Sequence, residues 1–478
     1  MSNQSGSSSA VNLKDLSFVA LFSLMFGSMM GSGVFDIPQN VAHRASLVAV
    51  IISWAITAIG MLALGWAFVH ITKKRSDIQS GIYGYAKHGF GDYVGFNSAW
   101  GYWLNALLGN ASYLIYIFAT LGNFAIFKFF DNGTNLVALI CESLLIWLVY
   151  ILIIRGIKEA SIVNIVITSI KILALLAVVI VFIIGFNWDK FSSNLTLDLR
   201  WGSMLTQIKS TMLVTVWDFI GIEAAFIYAL RAKKMGDVAK ATMLGVTVVL
   251  VIDALISILP FGILSSVAVS ELSTPSTAGV LALVTSATSA NFIRGAVIIS
   301  VTGALLAWML LATNIFYLAA EDKALPRKMM KLNHKNVPVN ALLASVIALQ
   351  IFILAAYFTN SVYLTMIKLA TSLILVPYLL SALFAFKLVI QEQKFDLLSF
   401  IKGTLAVLYG VWLIYAGGLN YLVFSTLLYV VGIIFYAIAK KEQNKPVFAS
   451  KFEKIIFAVL AIISLISLSL WYTGNLSL

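Results

Sequence analysis

The stretch from Ser28 to Ala42 reads SMMGSGVFDIPQNVA and interrupts an apolar run that begins at Leu16. It carries Gly31 and Gly33, which weaken a helix, and Pro38, which lacks the amide proton that a helix interior needs. A segment that crosses a membrane ordinarily needs unbroken helix, because lipid offers no partner for free backbone groups. The stretch therefore predicts a helix that breaks within the membrane, and we expect the break itself to be a binding site.

The composition indicates a helical membrane protein. Of the 478 residues, 61% are hydrophobic and only 11% are charged, about half the charged fraction of an average soluble chain. Apolar stretches of about 20 residues recur, which is the length that a helix needs to cross the hydrocarbon layer. We count thirteen such segments, at approximately 16–40, 46–71, 95–127, 134–154, 162–186, 206–230, 241–266, 292–319, 340–358, 363–388, 398–416, 420–439 and 455–472. We predict an all-α polytopic membrane protein with about 13 transmembrane helices.

The net charge of +12 follows the predicted topology and does not indicate a nucleic-acid partner. With the N-terminus inside, most of the 32 Lys and Arg residues fall in cytoplasmic loops, as the positive-inside rule requires. Residues 1–13 are polar and low in complexity, without the basic region or cleavage site of a signal peptide, and predict a disordered cytoplasmic tail. We expect a multi-pass protein of the cell (inner) membrane, surrounded by membrane lipid, with a cytoplasmic N-terminus.

The chain offers no place for catalytic chemistry. The largest loops, near 187–205 and 267–291, are too short for a catalytic domain, and the sequence has no nucleotide-binding loop or metal-ligand cluster. Cys141 is the only cysteine, so no intramolecular disulfide can form. We predict no enzyme activity, no cofactor and no metal. Residues 14–390 are expected to form a ten-helix core, and residues 391–478 additional peripheral helices 11–13.

The sixth apolar segment is abnormal in the same way as the first. It contains TVWDFIGIEAAF, in which Asp218 and Glu223 flank Gly221. Transporters use discontinuous helices whose free amides and carbonyls bind substrate and ions, in corresponding segments of two inverted halves. Interruptions in segments 1 and 6 therefore predict a core of two five-helix inverted repeats.

Several of these residues also have a simpler interpretation. Gly27 and Gly31 form a small-xxx-small pattern that lets helices pack closely. Glu223 could serve as a structural hydrogen-bond partner, and Asp218 could line the wall of an aqueous vestibule. An ionisable residue within a spanning helix nevertheless suggests a functional role by default. Lys171, deep in segment 5, either extends its side chain towards the cytoplasm or stands in place of a sodium ion. The sequence leaves these alternatives open.

Five stretches together resemble one superfamily. They are MMGSGVFDIPQNVA, GIYGYAKHGFGDYVGF, YWLNALLGN, VWDFIGIEAA and LVPYLLSALFAF. The chain resembles the amino acid–polyamine–organocation superfamily from about residue 14 to the thirteenth helix. Within it the chain looks most like the arginine/ornithine antiporters of the basic amino acid/polyamine antiporter branch, and FGDYVGFNSAWGYWLNALLGN and RGIKEASIVN are the most specific stretches.

The resemblance implies a leucine-transporter-like core and a set of substrate-binding residues on it. The implied set is Gly31, Ser32, Gly33, Asn110, Trp217 and Trp308. The glycines and the serine of segment 1 would hold the substrate carboxylate, and the asparagine would contact a polar group of the substrate. One tryptophan would cap the substrate as an outer gate, and the other would stack near a guanidinium, since a tryptophan face attracts cations.

The resemblance also implies residues for gating and coupling. Tyr102 would border the path, and Glu223 would link inward gating to a proton or to substrate charge. Lys171 matches a lysine that stands at a sodium site in proton-coupled relatives. Asp36 and Asp218 depart from the family pattern, which has uncharged residues there, and two added carboxylates suit a cationic substrate through electrostatic focusing.

The function that this resemblance implies is import of arginine in exchange for ornithine by alternating access. Proton-coupled uptake of arginine or lysine and exchange of an amino acid for its amine, as of arginine for agmatine, are the alternatives. A sensor that binds an amino acid without transporting it is less favoured, because no sizeable cytoplasmic domain is present. The partners are then small cationic amino acids, and the sequence leaves a homodimer open.

Overall fold

The computed structural model describes residues 16–473 apart from 79, 157, 228, 230–231 and 360–362. Its α-helices, numbered in chain order, are α1 (Phe18–Met29), α2 (Gly33–Ala42), α3 (Leu47–Lys74), α4 (Gly81–Phe90), α5 (Asp92–Gly122), α6 (Leu136–Ile154), α7 (Lys158–Gly185), α8 (Trp188–Asn194), α9 (Met204–Trp217), α10 (Ala224–Ile227), α11 (Met235–Ile258), α12 (Ser266–Ser270), α13 (Ser276–Val284), α14 (Ala287–Glu321), α15 (Val339–Thr359), α16 (Tyr363–Ile390), α17 (Leu397–Ala416), α18 (Leu419–Val431), α19 (Ile433–Glu442) and α20 (Lys451–Tyr472). Short 3-10 helices lie at Ala125–Phe130, Leu199–Trp201, Leu259–Gly262 and Arg327–Met330. The tail predicted at 1–13 lies outside the described residues.

The helices match the predicted spanning segments with one exception. Twelve helices of the described part of the chain are long and apolar enough to cross a membrane. The sixth predicted segment is not among them, because α9 stops at Trp217 after 14 residues and α10 adds only 4 after a turn. The all-α polytopic fold is thus confirmed. The one predicted spanning segment that is not a continuous helix is the sixth, where the sequence predicts a break. The five-plus-five inverted repeat stays a prediction.

The first spanning segment is divided at residues 30–32, between α1 and α2. Pro38 lies inside α2, where its missing amide removes one hydrogen bond from the helix. The last carbonyls of α1 and the first amides of α2 have no partner within their own helices. Since residues 25–38 are all buried, the break presents these groups to the interior of the bundle.

The helix α5 runs through the centre of the bundle, where α4, α14, α15 and α16 pack against it. Asn105 of α5 donates its side-chain amide to the carbonyl of Ala370 in α16 at 2.8 Å. Trp103 donates its indole N–H to the hydroxyl of Ser345 in α15 at 2.8 Å. These buried bonds fix the rotation of α5, and with it the residues that α5 presents to the two breaks.

Hydroxyl groups join α9 to α3. The hydroxyl oxygens of Thr57 and Thr215 lie 2.9 Å apart, and Thr211 donates to the hydroxyl of Ser53 at 2.6 Å. All four side chains are buried, so each bond satisfies groups that lipid would leave without a partner. The pairs hold the end of α9, and therefore Trp217, at a fixed position beside the first break.

The helices after residue 390 pack against helices that precede them in the chain. A Cβ added at Gly60 of α3 would lie 2.1 Å from the ring of Tyr409, so α17 packs closely on α3 only because that residue is glycine. Tyr429 of α18 donates its hydroxyl to the carbonyl of Leu373 in α16 at 2.7 Å. The helix α20 packs against α18. The division into a ten-helix core and three additional helices stays a prediction.

Candidate functional site

The carbonyl end of α1 receives donors from two distant helices. Lys171 of α7 donates its ammonium to the carbonyl of Gly27 at 3.1 Å and also to the carbonyl of Met30. Trp308 of α14 donates its indole N–H to the carbonyl of Ser28 at 2.9 Å. Lys171 is 1% exposed, so its ammonium lies in the break and not at the membrane surface. The lysine thus satisfies carbonyls that the end of a helix leaves free.

The amide end of the break belongs to Ser32 and α2. The hydroxyl of Ser32 lies 2.6 Å from the hydroxyl of Tyr363 in α16, and its side chain does not cap the helix. The side chain of Ser32 therefore accepts no hydrogen bond from the amides in the first turn of α2. Free amides together with the positive end of the helix dipole attract anionic groups such as a carboxylate.

The second break touches the first. Gly221, in the turn between α9 and α10, has a φ of 114°, which favours glycine. A Cβ there would lie 2.7 Å from the hydroxyl oxygen of Ser28, and the Ser28 hydroxyl is 3.3 Å from the carbonyl of Gly221. The two interrupted segments therefore meet at their breaks, and no side chain fits between them at this point.

Glu223 joins the second break to α5 and α16. Its Oε2 accepts a hydrogen bond from the hydroxyl of Tyr378 at 2.7 Å and another from the amide of Gly221 at 3.3 Å. Tyr102 of α5 also interacts with the Glu223 carboxylate. The ring centroid of Tyr102 lies 6.0 Å from the ring centroid of Trp308. The buried carboxylate accepts hydrogen bonds from several donors and so connects the turn to α5 and α16.

Trp217 closes over the first break. A Cβ added at Gly33 would lie 2.6 Å from its Cδ1, and one added at Gly109 would lie 3.0 Å from its Cη2. The ring of Tyr113 meets Trp217 edge-on at 6.0 Å, and its hydroxyl would lie 2.1 Å from a Cβ at Gly31. Trp217 itself is 6% exposed. The side chains of Trp217 and Tyr113 thus cover the glycines of the first break on the side of the membrane where α9 begins.

Four buried polar side chains near the breaks have no hydrogen-bond partner among the described residues. They are Asn110, Tyr116, Asp218 and Asp253, each at 0% exposure. Asp218 stands beside the first break, because a Cβ at Gly33 would lie 1.8 Å from its Oδ1. A buried polar group without a partner is costly, so a ligand that supplies hydrogen bonds or positive charge would stabilise this arrangement. The sequence assigned no role to Asp253.

Asp36 already has partners on both carboxylate oxygens. Oδ2 accepts from the hydroxyl of Thr274 at 2.7 Å, and Oδ1 accepts from the amide of Ser276 at 2.7 Å. Ser276 is the first residue of α13, so Asp36 satisfies an amide that this helix leaves free at its start. The contact links α2 to the loop before α13, and the focusing role stays a prediction.

Replacing Asp36 by alanine is expected to lower the free energy of unfolding by about 2 kcal/mol, because two buried donors lose their acceptor. The KM for arginine, the substrate that the sequence resemblance implies, should change little at low ionic strength. Thermal unfolding and uptake at two ionic strengths measure the two effects, with the exposed Asp189→Ala as a control. A higher KM at low ionic strength with unchanged stability would favour focusing.

Sequence reasoning missed the tyrosines of the site. Tyr113 follows Asn110 by three residues on α5, so helical spacing gave a signal for it. Tyr363 and Tyr378 lie on α16, and no local pattern connects them to Ser32 or to the acid of the second break. Their contacts arise only from how α16 packs.

Comparisons with known proteins show what the chain is similar to. A family model described as amino acid permease matches residues 16–463, which include both breaks. The arginine/ornithine antiporter of Pseudomonas aeruginosa is 41% identical over 475 residues, covering 96% of this chain and 98% of the relative. The putative arginine/ornithine antiporter of Escherichia coli is 35% identical over 454 residues, covering 94% and 98%. The arginine/agmatine antiporter of Chlamydia caviae is 35% identical over 478 residues, covering 97% and 98%.

Proposed function

We propose, from the premise that the chain belongs to the amino acid permease family of the amino acid–polyamine–organocation superfamily, that it exchanges cationic amino acids across the membrane. The most favoured pair is arginine taken up and ornithine released, since two of the relatives above carry that name. The observation that carries the proposal is the contact between two broken helices, one offering amides and the other an acidic turn.

The substrate would lie across the two breaks. Its carboxylate would meet Ser32 and the amides that begin with Gly33, and its α-ammonium would meet the turn carbonyls beside Asp218. Its cationic side chain would extend towards Asn110 and the face of Trp308. Each group of the substrate would then find a partner of opposite charge or polarity, and the buried groups that lack hydrogen bonds would gain them.

Transport would follow by alternating access. Trp217 and Tyr113 would move aside on one side of the membrane, and the contacts of Glu223 would loosen on the other. Exchange results if only the loaded carrier reorients. The positions of the lysines and arginines support a cytoplasmic N-terminus in the inner membrane, and the homodimer stays a prediction.

The exchange proposal is tested by uptake of radiolabelled arginine into proteoliposomes preloaded with ornithine, agmatine, arginine or buffer. Uptake should be roughly tenfold faster or more with an internal counter-substrate, because only the loaded carrier returns. Equal uptake into vesicles that contain buffer alone would contradict obligatory exchange.

Arginine/agmatine exchange is the second candidate. It is favoured by the Chlamydia caviae relative, whose similarity covers 97% of this chain. Agmatine lacks the carboxylate that the amides of α2 are expected to hold. The preloading series separates the candidates, since the better internal partner identifies the pair.

Replacing Glu223 by glutamine is expected to slow exchange about fivefold to tenfold. The amide oxygen still accepts from Tyr378 and from Gly221, but hydrogen bonds to a charged group are stronger than those to a neutral one. Exchange rates at several pH values measure the effect. Glu142→Gln is the control, since Glu142 is a buried acid on α6 away from the breaks, and its rate should stay at the wild-type value.

Proton coupling gives a different result for the same variant. If transport is coupled to protons, an inward proton gradient would drive net arginine uptake into vesicles that contain no counter-substrate. Glu223→Gln would abolish that uptake while Glu142→Gln would not. This outcome would replace exchange by proton-coupled uptake.

A further inference from the structure

We propose that a cavity at the end of α2 binds a phosphate group carried by a membrane phospholipid. The cavity, which we call the Arg44 cavity, has a volume of about 220 Å³. Its walls come from the end of α2, the first turns of α9 and α16, and the turn between α17 and α18. It lies at the membrane face where α2 ends, and none of the residues that line it is among those described at the breaks.

The cavity gathers positive charge without a counter-ion. Arg44, Lys209 and Lys368 line it together with His43, and none of the described residues that line it is an aspartate or glutamate. Within the described ranges, none of these three cations forms an ion pair. Like charges that converge in a partly buried space raise the free energy of the folded chain. An anion bound between them would remove that cost.

Aromatic rings hold two of the cations in place. The Lys209 ammonium lies 4.1 Å from the ring centroid of Tyr415, and the Lys368 ammonium lies 5.9 Å from that of Tyr421. Cation–π contacts orient an ammonium group without neutralising it. Tyr415 belongs to α17 and Tyr421 to α18, so the helices that follow residue 390 supply one wall of the site.

His43 completes the donor set without adding a fourth charge. Its burial, followed by the nearby charges of Arg44 and Lys368, lowers the pKa of the imidazole. The ring is therefore mostly neutral at pH 7 and offers one N–H donor. The hydroxyl of Ser210 is 3.3 Å from the carbonyl of Arg44 and holds the loop that carries both residues.

The depth of the cations favours a lipid over free phosphate. Lys209 and Lys368 each lie five residues after the first residue of their helix, which is ~7.5 Å along the axis. The headgroup layer on each side of the hydrocarbon core is about this thick. Leu213, Val214 and Leu364 also line the cavity, and they suit the glycerol and upper acyl chains of a lipid.

A bound phosphate would also serve the proposed exchange, and this step rests on that function. The three cations of the Arg44 cavity have no acidic partner and lie on the membrane face where α9 begins. They therefore repel a cationic amino acid that approaches the break from that face. A phosphate in the Arg44 cavity cancels most of that repulsion. The KM for arginine should therefore fall when the bilayer contains a lipid that fills the cavity.

Binding is tested on the purified full-length protein in detergent, without transport. Three probes are compared by thermal unfolding: dioctanoyl phosphatidylglycerol, dioctanoylglycerol, which has the same tails and no phosphate, and inorganic phosphate. We expect a saturable rise in Tm with the phospholipid only. A rise of equal size with dioctanoylglycerol would overturn the proposal, and a rise of equal size with inorganic phosphate would overturn the lipid assignment.

Variants locate the effect. Arg44→Gln, Lys209→Gln and Lys368→Gln together should raise the apparent Kd for the phospholipid about tenfold or more. Lys368→Arg keeps the charge and should stay close to wild type. The charge-matched control removes Lys128, Lys190 and Arg294, which lie outside the cavity. A triple variant that is stabilised as strongly as wild type would overturn the proposal, whether or not the chain exchanges arginine.

Discussion

Alanine in place of Gly33 is expected to reduce arginine exchange by roughly a hundredfold, the loss that a small misplacement at a binding site can cause. The added Cβ would lie 1.8 Å from Oδ1 of Asp218 and 2.6 Å from Cδ1 of Trp217. Both side chains are buried, so the methyl group has to push the two breaks apart. Uptake of radiolabelled arginine into ornithine-loaded proteoliposomes measures the loss.

Two other glycines control for the loss of helix flexibility. A Cβ added at Gly236 of α11 or at Gly295 of α14 would meet no atom within 4 Å from the rest of the described chain, apart from the backbone of its own helix. Both alanine variants should therefore exchange at the wild-type rate. Thermal unfolding of all three variants shows whether each chain folds. A folded Gly33→Ala that exchanges as fast as Gly295→Ala would mean that the first break does not bind the substrate.

The second large effect is expected at Lys171. Methionine there is unbranched and only one atom shorter than lysine, but it has no ammonium, which leaves the carbonyls of Gly27 and Met30 without this donor. Each buried carbonyl that loses its partner costs about 1–3 kcal/mol. We therefore expect a lower Tm and loss of most exchange activity, measured on the purified protein and in proteoliposomes.

Lys190→Met is the matched control, because Lys190 also donates to a carbonyl, that of Ile263 at 3.1 Å, but lies at the exposed start of α8. It should retain the stability and activity of wild type. If the ammonium of Lys171 stands in place of sodium, sodium chloride should stabilise Lys171→Met more than potassium chloride does. Wild-type exchange and Tm in Lys171→Met would refute a role for the lysine at the break.

The breaks could be predicted because their chemistry is local. Gly31, Gly33 and Pro38 lie within one apolar run, and Gly221 lies between two acids in another. Lipid tolerates free backbone groups only where protein covers them, so such residues in a spanning segment indicate an interrupted helix. The structure places both interruptions within a few residues of the predicted positions.

The partners of the breaks could not be predicted, because they come from helices far along the chain. Lys171 is 144 residues from the carbonyl of Gly27, and Thr274 is 238 residues from Asp36. No period or motif in one segment shows which face of another helix it will meet. For the same reason the sequence left the direction of the Lys171 side chain open, and the packing of α7 against α1 decides it.

The Arg44 cavity shows the same limit. Its cations come from a loop and from two helices, and each is an ordinary basic residue near a helix end when read alone. Only the fold shows that they converge on one space.

If the two breaks hold a cationic amino acid, equilibrium binding to the purified protein detects it without transport. Radiolabelled arginine is bound to the purified protein and displaced by unlabelled arginine, ornithine or leucine. We expect saturable binding that arginine and ornithine displace and leucine does not, because leucine lacks the cationic side chain that would reach Asn110 and Trp308. Displacement by leucine as strong as that by ornithine, or no saturable binding of arginine, would contradict it.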